Sequence, residues 1–276
     1  MPALLVRLAV TAVWGVTFVQ VKDAVAVYPL FAFLALRFAI ASGTLAIPGA
    51  ARLRGLGRAG LGAGVLAGAL LGGGYALQTA GLERTTVSST GFITGMYVVC
   101  TPLLALAVLR TSVGRGAWLG VVLATLGLAL LAGLHRGALL GDLLVLAGAA
   151  VYSLQIVLME RYAPRYDAIA FTLVEMLTAF GGLLAIALAA RDLRFPHGWT
   201  VWGALLVTGV FASALAFLAQ TWAQRRTTAT RTALAFSMEP VWTAFFGFTL
   251  AGDRLGVVGW SGCLVIMAGI LVAEFL

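Results

Sequence analysis

The stretch QTAGLERTT at residues 78–86 returns as QTWAQRRTT at residues 220–228, which lies 142 positions further along the chain. The same shift carries three later residues onto identical ones, namely Trp118, Gly120 and Gly127 onto Trp260, Gly262 and Gly269. A shift of 138 aligns the earlier segments, pairing Ala32-Phe33 with Ala170-Phe171, Arg37 with Glu175, and Gly43 with Gly181. Polar and aromatic matches that stay in register over this distance predict two related halves, residues 1–137 and residues 138–276.

Each half consists of apolar blocks of about 20 residues, the length with which a helix crosses about 30 Å of hydrocarbon. Of the 276 residues, 62% are hydrophobic and only 10% are charged, whereas soluble domains carry about 25% charged residues. No block remains for a soluble domain, so the lipid bilayer is the predicted surroundings of this chain. The blocks predict ten transmembrane helices near residues 4–22, 29–48, 60–82, 87–109, 115–134, 139–160, 168–190, 199–223, 229–250 and 255–275.

The number of helices in each half decides their relative orientation. Five is odd, so the second half enters the membrane from the opposite face and the two form an inverted repeat. The predicted fold class is therefore an all-α integral membrane protein with ten transmembrane helices in two inverted five-helix halves. Placing both termini in the cytoplasm puts eleven basic residues on that side and six on the other. This excess favours a multi-pass protein of the inner (cytoplasmic) membrane with cytoplasmic termini.

Several classes of function find no support in the sequence. The net charge of +8 comes from arginines scattered between apolar blocks, so it reads as a topology signal, and no nucleic-acid partner is predicted. The chain has no HExxH, nucleophile elbow, paired-aspartate metal motif or Walker sequence, so no enzyme activity, cofactor or metal is predicted. Without an ATP site, transport would have to draw on a gradient of substrate or ions.

A set of short motifs, in a fixed order, resembles a known family. These motifs are Trp14-Gly15, Arg37-Phe38, the stretch from Thr85 to Thr90 leading to Phe92-Ile93-Thr94, Tyr97-Val98-Val99, Pro102 and Glu239-Pro240. In this respect the whole chain resembles the drug/metabolite transporter superfamily, specifically its ten-helix EamA-type exporters. The resemblance implies a central cavity lined by the first, third, fourth, sixth, eighth and ninth helices. It also implies export of amino acids, metabolites or toxic compounds.

Glu239 and two prolines are the candidate mechanistic residues. Glu239 is an acid at predicted membrane depth, where ionisation costs at least about 2.5 kcal/mol, so it is a candidate site for a proton, a cation or an amine. Pro102 and Pro240 each remove a backbone hydrogen bond inside a helix. They are candidate hinges, and a plain packing kink is the alternative. Under the shift of 142 they are displaced by four residues, about one helical turn.

Amide and aromatic side chains inside apolar helices suggest a substrate site. Buried amides are costly unless they bond across helices or face water, and aromatic rings can enclose planar or cationic solutes. Interfacial belts are the alternative for Trp and Tyr. With Glu239, the predicted substrate-binding residues are Trp14, Tyr75, Gln78, Tyr97, Tyr152, Gln155, Phe217, Gln220 and Trp242.

Arg37 and Glu175 occupy equivalent positions in the two halves and carry opposite charges. Mutual pairing or snorkelling is the expected reading, with a substrate role second.

Together these features predict a secondary active transporter that exports small organic solutes by alternating access, with possible proton coupling, as a monomer or weak homodimer. The alternative is a membrane-embedded enzyme or assembly factor acting on lipid-linked substrates. A channel is disfavoured because the helices show no repeated polar stripe.

Overall fold

In a computed structural model the chain is described over residues 2–85, 87–132, 139–250 and 256–275, and these ranges contain helices and no strand. The first half contains α1 (Pro2–Val27), α2 (Leu30–Gly49), α3 (Gly57–Leu82), α4 (Val87–Gly95), α5 (Tyr97–Leu104) and α6 (Arg115–Ala132). The second half contains α7 (Leu139–Tyr162), α8 (Ala168–Ala189), α9 (Trp199–Leu206), α10 (Ala216–Gln224), α11 (Ala229–Phe236), α12 (Met238–Leu250) and α13 (Val257–Phe275). The predicted boundary between residues 137 and 138 lies outside the described ranges.

The described helices include long apolar stretches that suit a bilayer. Two shorter apolar helices, Arg115–Leu130 and Val257–Ala273, accompany them. The number of ten crossings stays a prediction. Within the described ranges, six stretches are long and apolar enough to cross a membrane, namely Ala3–Val27, Leu30–Leu82, Ser89–Leu109, Leu139–Arg165, Ala168–Ala189 and Trp199–Gln224. The second of these contains both α2 and α3.

Two helices that the sequence predicted to be continuous are interrupted. The helix predicted at residues 87–109 is divided at Met96 and ends in a π-helix, Ala105–Leu109. The helix predicted at 229–250 is divided at Ser237, three residues before Pro240. A proline has no N–H and its ring clashes with the preceding turn, so the backbone just before it cannot keep regular helical bonding. Under the shift of 142 that relates the halves, the interruptions at Met96 and Ser237 fall at nearly equivalent positions.

The packing of α6 against α13 shows how the halves are related. A methyl group built on Gly120 would lie 2.6 Å from the carbonyl oxygen of Gly269, and one on Gly127 would lie 2.7 Å from that of Gly262. The earlier glycine of α6 thus faces the later glycine of α13, so these repeat-related helices are antiparallel. In the repeat Gly120 corresponds to Gly262 and Gly127 to Gly269, so the two contacts are equivalent to each other when the halves are exchanged. The fold is therefore an inverted repeat, as predicted.

A second reciprocal contact lies deeper in the bundle. A methyl group on Gly68 of α3 would lie 2.4 Å from the carbonyl oxygen of Glu175 in α8. One on Gly209, in the π-helix Val207–Leu215 between α9 and α10, would lie 3.0 Å from the carbonyl oxygen of Arg37 in α2. Glycine permits these close backbone approaches because it has no Cβ. The backbone around Arg37 and Glu175 is thus nearly equivalent, although their side chains carry opposite charge.

Polar contacts gather the connecting segments at two ends of the bundle. At one end Arg52 lies 3.2 Å from Asp167, which also caps α8 by accepting from the backbone N–H of Ala170. At the other end the Lys22 ammonium donates to the carbonyl oxygen of Leu82 at 3.0 Å. This grouping agrees with the predicted alternation of the helices. Which end faces the cytoplasm stays a prediction.

Candidate functional site

A cavity lies where the two halves meet. Its walls come from α1, α3, α4 and α5 of the first half and from α7, α10, α11 and α12 of the second. These belong to the first, third, fourth, sixth, eighth and ninth predicted helices, which are the ones that the resemblance implied. The lining residues are Trp14, Tyr75, Gln78, Thr94, Tyr97, Tyr152, Gln155, Ile156, Phe217, Gln220, Phe236 and Glu239.

Nine of the ten predicted substrate-binding residues line this cavity, and Trp242 is not among the lining residues. Trp242 packs instead on α1, where a methyl group built on Gly15 would lie 2.6 Å from its Cβ. Its indole N–H is buried and has no hydrogen-bond partner among the described residues. The structure therefore brings the predicted set together with that one exception, and the substrate-binding role of each residue stays a prediction.

Aromatic rings form much of the cavity wall. Trp14 of α1 contacts Phe236 with ring centroids 5.0 Å apart and Phe217 with centroids 5.4 Å apart. On the other side Tyr75 contacts Tyr152, with centroids 5.5 Å apart in an edge-to-face arrangement. The indole N–H of Trp14 donates to the carbonyl oxygen of Ala212 at 2.8 Å, which fixes its orientation. Such a wall presents π-faces that attract cations and planar groups.

Glu239 is the carboxylate of the cavity, and it is 5% exposed. The Tyr97 hydroxyl lies 3.1 Å from Glu239 Oε2 and 2.5 Å from the carbonyl oxygen of Phe236. Phe236 precedes Pro240 by four residues, and proline offers no N–H to that carbonyl. Tyr97 therefore supplies the donor that Pro240 lacks. Because a hydroxyl has one proton, Tyr97 cannot fully serve both acceptors unless Glu239 is protonated and donates to it.

Arg37 reaches a second space that shares Trp14, Tyr75, Gln78 and Glu239 with the central cavity. Its Nε donates to Ser213 at 2.8 Å and its Nη2 donates to the Tyr75 hydroxyl at 3.0 Å. The guanidinium carbon also lies 4.4 Å from the centre of the Tyr75 ring, a cation–π distance. Arg37 is thus anchored beside the cavity by neighbours other than Glu175.

Glu175 is completely buried in α8, away from Arg37. Its Oε1 accepts from the amide of Gln155 at 2.6 Å, and its Oε2 has no hydrogen-bond partner within the described ranges. Across the part of the chain that the structure describes, Arg37 and Glu175 form no ion pair. Of the two alternatives that the sequence left open, pairing or snorkelling, pairing is therefore excluded, and the two side chains bond to other residues instead.

The two repeat-related glutamines of the cavity have different surroundings. Gln78 donates to Thr94 at 2.9 Å and accepts from the Tyr152 hydroxyl at 3.2 Å. Gln220 uses its NH₂ group twice, donating to Gln155 at 3.1 Å and to Gln224 at 2.9 Å. Both amides thus bond across the helices, which offsets the cost of placing them in apolar segments.

The EamA-like transporter family matches this chain twice, over residues 1–133 and over residues 139–275. The chain belongs to this family. The EamA-like protein is 29% identical over 267 residues to an uncharacterized transporter of Archaeoglobus fulgidus, covering 96% of this chain and 83% of that one. It is 25% identical over 212 residues to the uncharacterized transporter YyaM of Bacillus subtilis, covering 72% of this chain and 68% of that one.

A solved crystal structure shares the fold of this EamA-like chain. The two superpose with a TM-score of 0.80 at 18% sequence identity, over 99% of this chain and 96% of the other. Family membership and the apolar helices together make the protein a multi-pass membrane transporter.

Pro102 and Pro240 occupy different places in this EamA-like fold. Pro102 lies within α5, just before the π-helix Ala105–Leu109, whereas Pro240 lies in the first turn of α12. A methyl group built on Gly95, beside the break at Met96, would lie 2.9 Å from the Pro240 ring. The two interruptions therefore face each other across the halves. The role of either proline as a hinge stays a prediction.

Three residues of the EamA-like cavity were not predicted, namely Thr94, Ile156 and Phe236. Thr94 is the hydroxyl partner of Gln78, and its place in the FIT motif was the available signal. Phe236 lies three residues before Glu239, a spacing that puts residues on one helical face. Ile156 follows Gln155 directly, and nothing in its apolar surroundings distinguishes it from a core residue.

Proposed function

We propose that this EamA-like protein is a secondary active exporter of small organic solutes that carry an amino group on an apolar or aromatic body. The observation that carries the proposal is a single carboxylate, Glu239, among the aromatic residues that line the cavity between the two halves. A cation entering this cavity is attracted both by the carboxylate and by the π-faces of Trp14, Tyr97 and Phe236. An organic anion would meet that carboxylate as a like charge.

The hydrogen bonding of Glu239 supports a coupled proton. Tyr97 faces two acceptors with one hydroxyl proton, and a proton on Glu239 would satisfy both. A cationic substrate would compete with that proton for the same carboxylate, which is a simple way to exchange one for the other. The other ionisable groups around Glu239 are Arg37, Tyr75, Tyr97 and Tyr152, from α2, α3, α5 and α7.

The inverted repeat supports alternating access as the mechanism. Substrate sites of such transporters lie near midplane between the halves, and rocking one half against the other opens each side in turn. The reciprocal glycine contacts of α6 with α13 give the two halves nearly equivalent interfaces. The proposed location is the cytoplasmic membrane with both termini inside, from the excess of basic residues on that side. No ATP-binding motif competes with this reading.

Transport by purified protein in liposomes tests the proposal. We expect the protein to carry phenethylamine faster than it crosses protein-free liposomes, more so with a proton gradient of opposite direction, and to add nothing to the passive permeation of benzoate, which is of similar size. Glu239→Gln should flatten the dependence of transport on pH, because the exchanging carboxylate is gone. Glu83→Gln is the matched control, since Glu83 lies beyond the end of α3 and outside the cavity. Folded protein that moves no amine, or an unchanged pH profile in Glu239→Gln, would refute the proposal.

A further inference from the structure

A chain of four buried side chains runs from α8 through α7 to α10 beside the cavity. Gln155 donates to Glu175 at 2.6 Å, Gln220 donates to Gln155 at 3.1 Å and to Gln224 at 2.9 Å, and Gln224 donates to the carbonyl oxygen of Ile156 at 3.0 Å. Each of the four is at most 2% exposed. Gln155 and Gln220 line the cavity, whereas Glu175 and Gln224 do not.

The acceptors at the two ends of this hydrogen-bonded series, Glu175 and the Ile156 carbonyl, determine the orientation of every amide within it. A carboxylate and a backbone carbonyl both accept hydrogen bonds, so Gln155 turns its NH₂ group to Glu175 and Gln224 turns its NH₂ group to Ile156. Both amides consequently present their oxygens to Gln220. The NH₂ group of Gln220 has two hydrogens, and both are used by these oxygens.

The remaining polar atom of Gln220 is its Oε1. Among the described residues nothing donates to Gln220 Oε1, although the side chain lines the cavity. The repeat-related Gln78 differs, because both ends of its amide are engaged by Thr94 and Tyr152. The cavity wall on the α10 side therefore offers an acceptor. Glu239, on the neighbouring wall of the same cavity, offers a second one.

We propose that Glu175, which lies outside the cavity, is a positioning residue that selects primary ammonium substrates by holding Gln220 Oε1 toward them. The inference rests on the proposed function, since it assumes that the ammonium group lies by Glu239. A primary ammonium has three N–H donors and can bond to Gln220 while its charge faces Glu239. Without an acceptor at position 175, the Gln155 amide can turn over and present its NH₂ group. Gln220 can then turn its oxygen to that group, provided that Gln224 gives up its bond to the Ile156 carbonyl and donates to Gln220 instead. The cavity would then present a donor where it had presented an acceptor.

Two probes separate hydrogen bonding from charge. Phenethylamine carries a primary ammonium, and phenethyltrimethylammonium carries the same ring and charge but no N–H donor. The measured quantity is the ratio of their KM values for uptake into liposomes, compared between variants rather than read in the wild type alone. Steric differences between the probes cancel in that comparison.

Glu175→Leu and Glu175→Gln are the decisive variants. Leucine removes the acceptor, and we expect it to shift the ratio about tenfold toward the quaternary probe, the effect of losing one charge-assisted hydrogen bond. Glutamine can still offer its carbonyl oxygen to Gln155, so this variant should keep the wild-type ratio. A merely structural role of Glu175 would change uptake of both probes together. Gln155→Leu interrupts the same chain and should shift the ratio as Glu175→Leu does, which also serves if the latter does not fold.

The outcomes distinguish this inference from the proposed function. Folded wild-type protein that transports neither probe would overturn both. Transport of both probes with an unchanged ratio in Glu175→Leu and Gln155→Leu would overturn the role of Glu175 and leave the proposed function standing. An altered ratio in Glu175→Leu, rescued in Glu175→Gln, supports the inference. Glu83→Gln, which is not part of this hydrogen-bonded series of side chains, should leave the ratio unchanged.

Discussion

Replacing Tyr97 by phenylalanine should destabilise the folded protein through the carbonyl group of Phe236. The Tyr97 hydroxyl lies 2.5 Å from that carbonyl oxygen, in the position where Pro240 provides no N–H. Both residues are buried, Tyr97 being 3% exposed and Phe236 1% exposed. A buried acceptor that loses its partner costs about 1–3 kcal/mol, while the phenyl ring fills the same space and leaves no cavity.

A second variant tests whether Pro240 is the reason for this cost. In Pro240→Ala the new N–H can bond to the Phe236 carbonyl, as in a regular helix, so that Tyr97→Phe removes only the contact with Glu239. The cost of Tyr97→Phe should therefore be smaller in the Pro240→Ala background, with a coupling energy of about 1 kcal/mol. That difference corresponds to about a fivefold change in the ratio of folded to unfolded protein.

Unfolding by sodium dodecyl sulfate in mixed micelles, followed by circular dichroism, measures the four free energies of this cycle. Tyr166→Phe is the control, because the Tyr166 ring stacks on Phe171 and its hydroxyl forms no hydrogen bond within the described ranges. An equal cost of Tyr97→Phe with and without Pro240 would refute the assignment of Tyr97 as the substitute donor. So would a cost no larger than that of Tyr166→Phe.

Three further predictions concern packing, capping and coupling, and the first two have control variants. Gly120→Ala should destabilise the protein by about 1–3 kcal/mol, because its methyl group would lie 2.6 Å from the Gly269 carbonyl oxygen. Its control is Gly62→Ala, whose methyl group would meet no atom within 4 Å and which should be neutral or stabilising. Thermal denaturation measures both. Asp167→Ala should cost about 0.5–2 kcal/mol by losing the cap of α8, measured by the same method. Removing only the exposed ion pair with Arg52→Gln should cost about 1 kcal/mol or less. Glu239→Gln should flatten the pH profile of amine transport, as measured in liposomes.

The overall fold could be predicted because its determinants are repeated and local. Apolar blocks of helix-spanning length and the recurrence of QTAGLERTT as QTWAQRRTT were sufficient to predict inverted halves. The interruptions at Met96 and Ser237 were not predicted, although Pro102 and Pro240 pointed to irregular bonding in the same segments. Whether a proline bends a helix or divides it depends on partners such as Tyr97, which come from elsewhere in the bundle.

The site could be predicted in part because a polar side chain within the membrane must bond to another polar group or to water. Gln78, Gln155, Gln220 and Glu239 converge on one cavity, because amides and acids in apolar helices must meet each other or water. Trp242 could not be assigned in this way. It lies three residues after Glu239, and the absence of a side chain on Gly15 lets it pack against α1 instead.

The sequence left open whether Arg37 pairs with Glu175, and it could not decide this for a related reason. Sequence equivalence in an inverted repeat places two residues at matching backbone positions, and both carbonyls do meet a glycine of the other half. It does not place their side chains in contact, because the symmetry that relates them carries each toward a different set of neighbours. Arg37 meets Ser213 and Tyr75, while Glu175 meets Gln155.

The backbone of this transporter is thus close to symmetric, whereas the chemistry along its cavity is not. Equivalent helix contacts let each half take the role of the other, which is what two-sided access by an inverted repeat requires. To bind a solute that is itself asymmetric, the cavity must instead carry different chemical groups at its two ends. Arg37 beside one wall and the chain from Glu175 to Gln220 beside the other supply that difference through side chains alone. In the proposed mechanism, substrate selection can therefore change by substitution at a few buried polar positions, while the glycine contacts between the equivalent helices remain as they are.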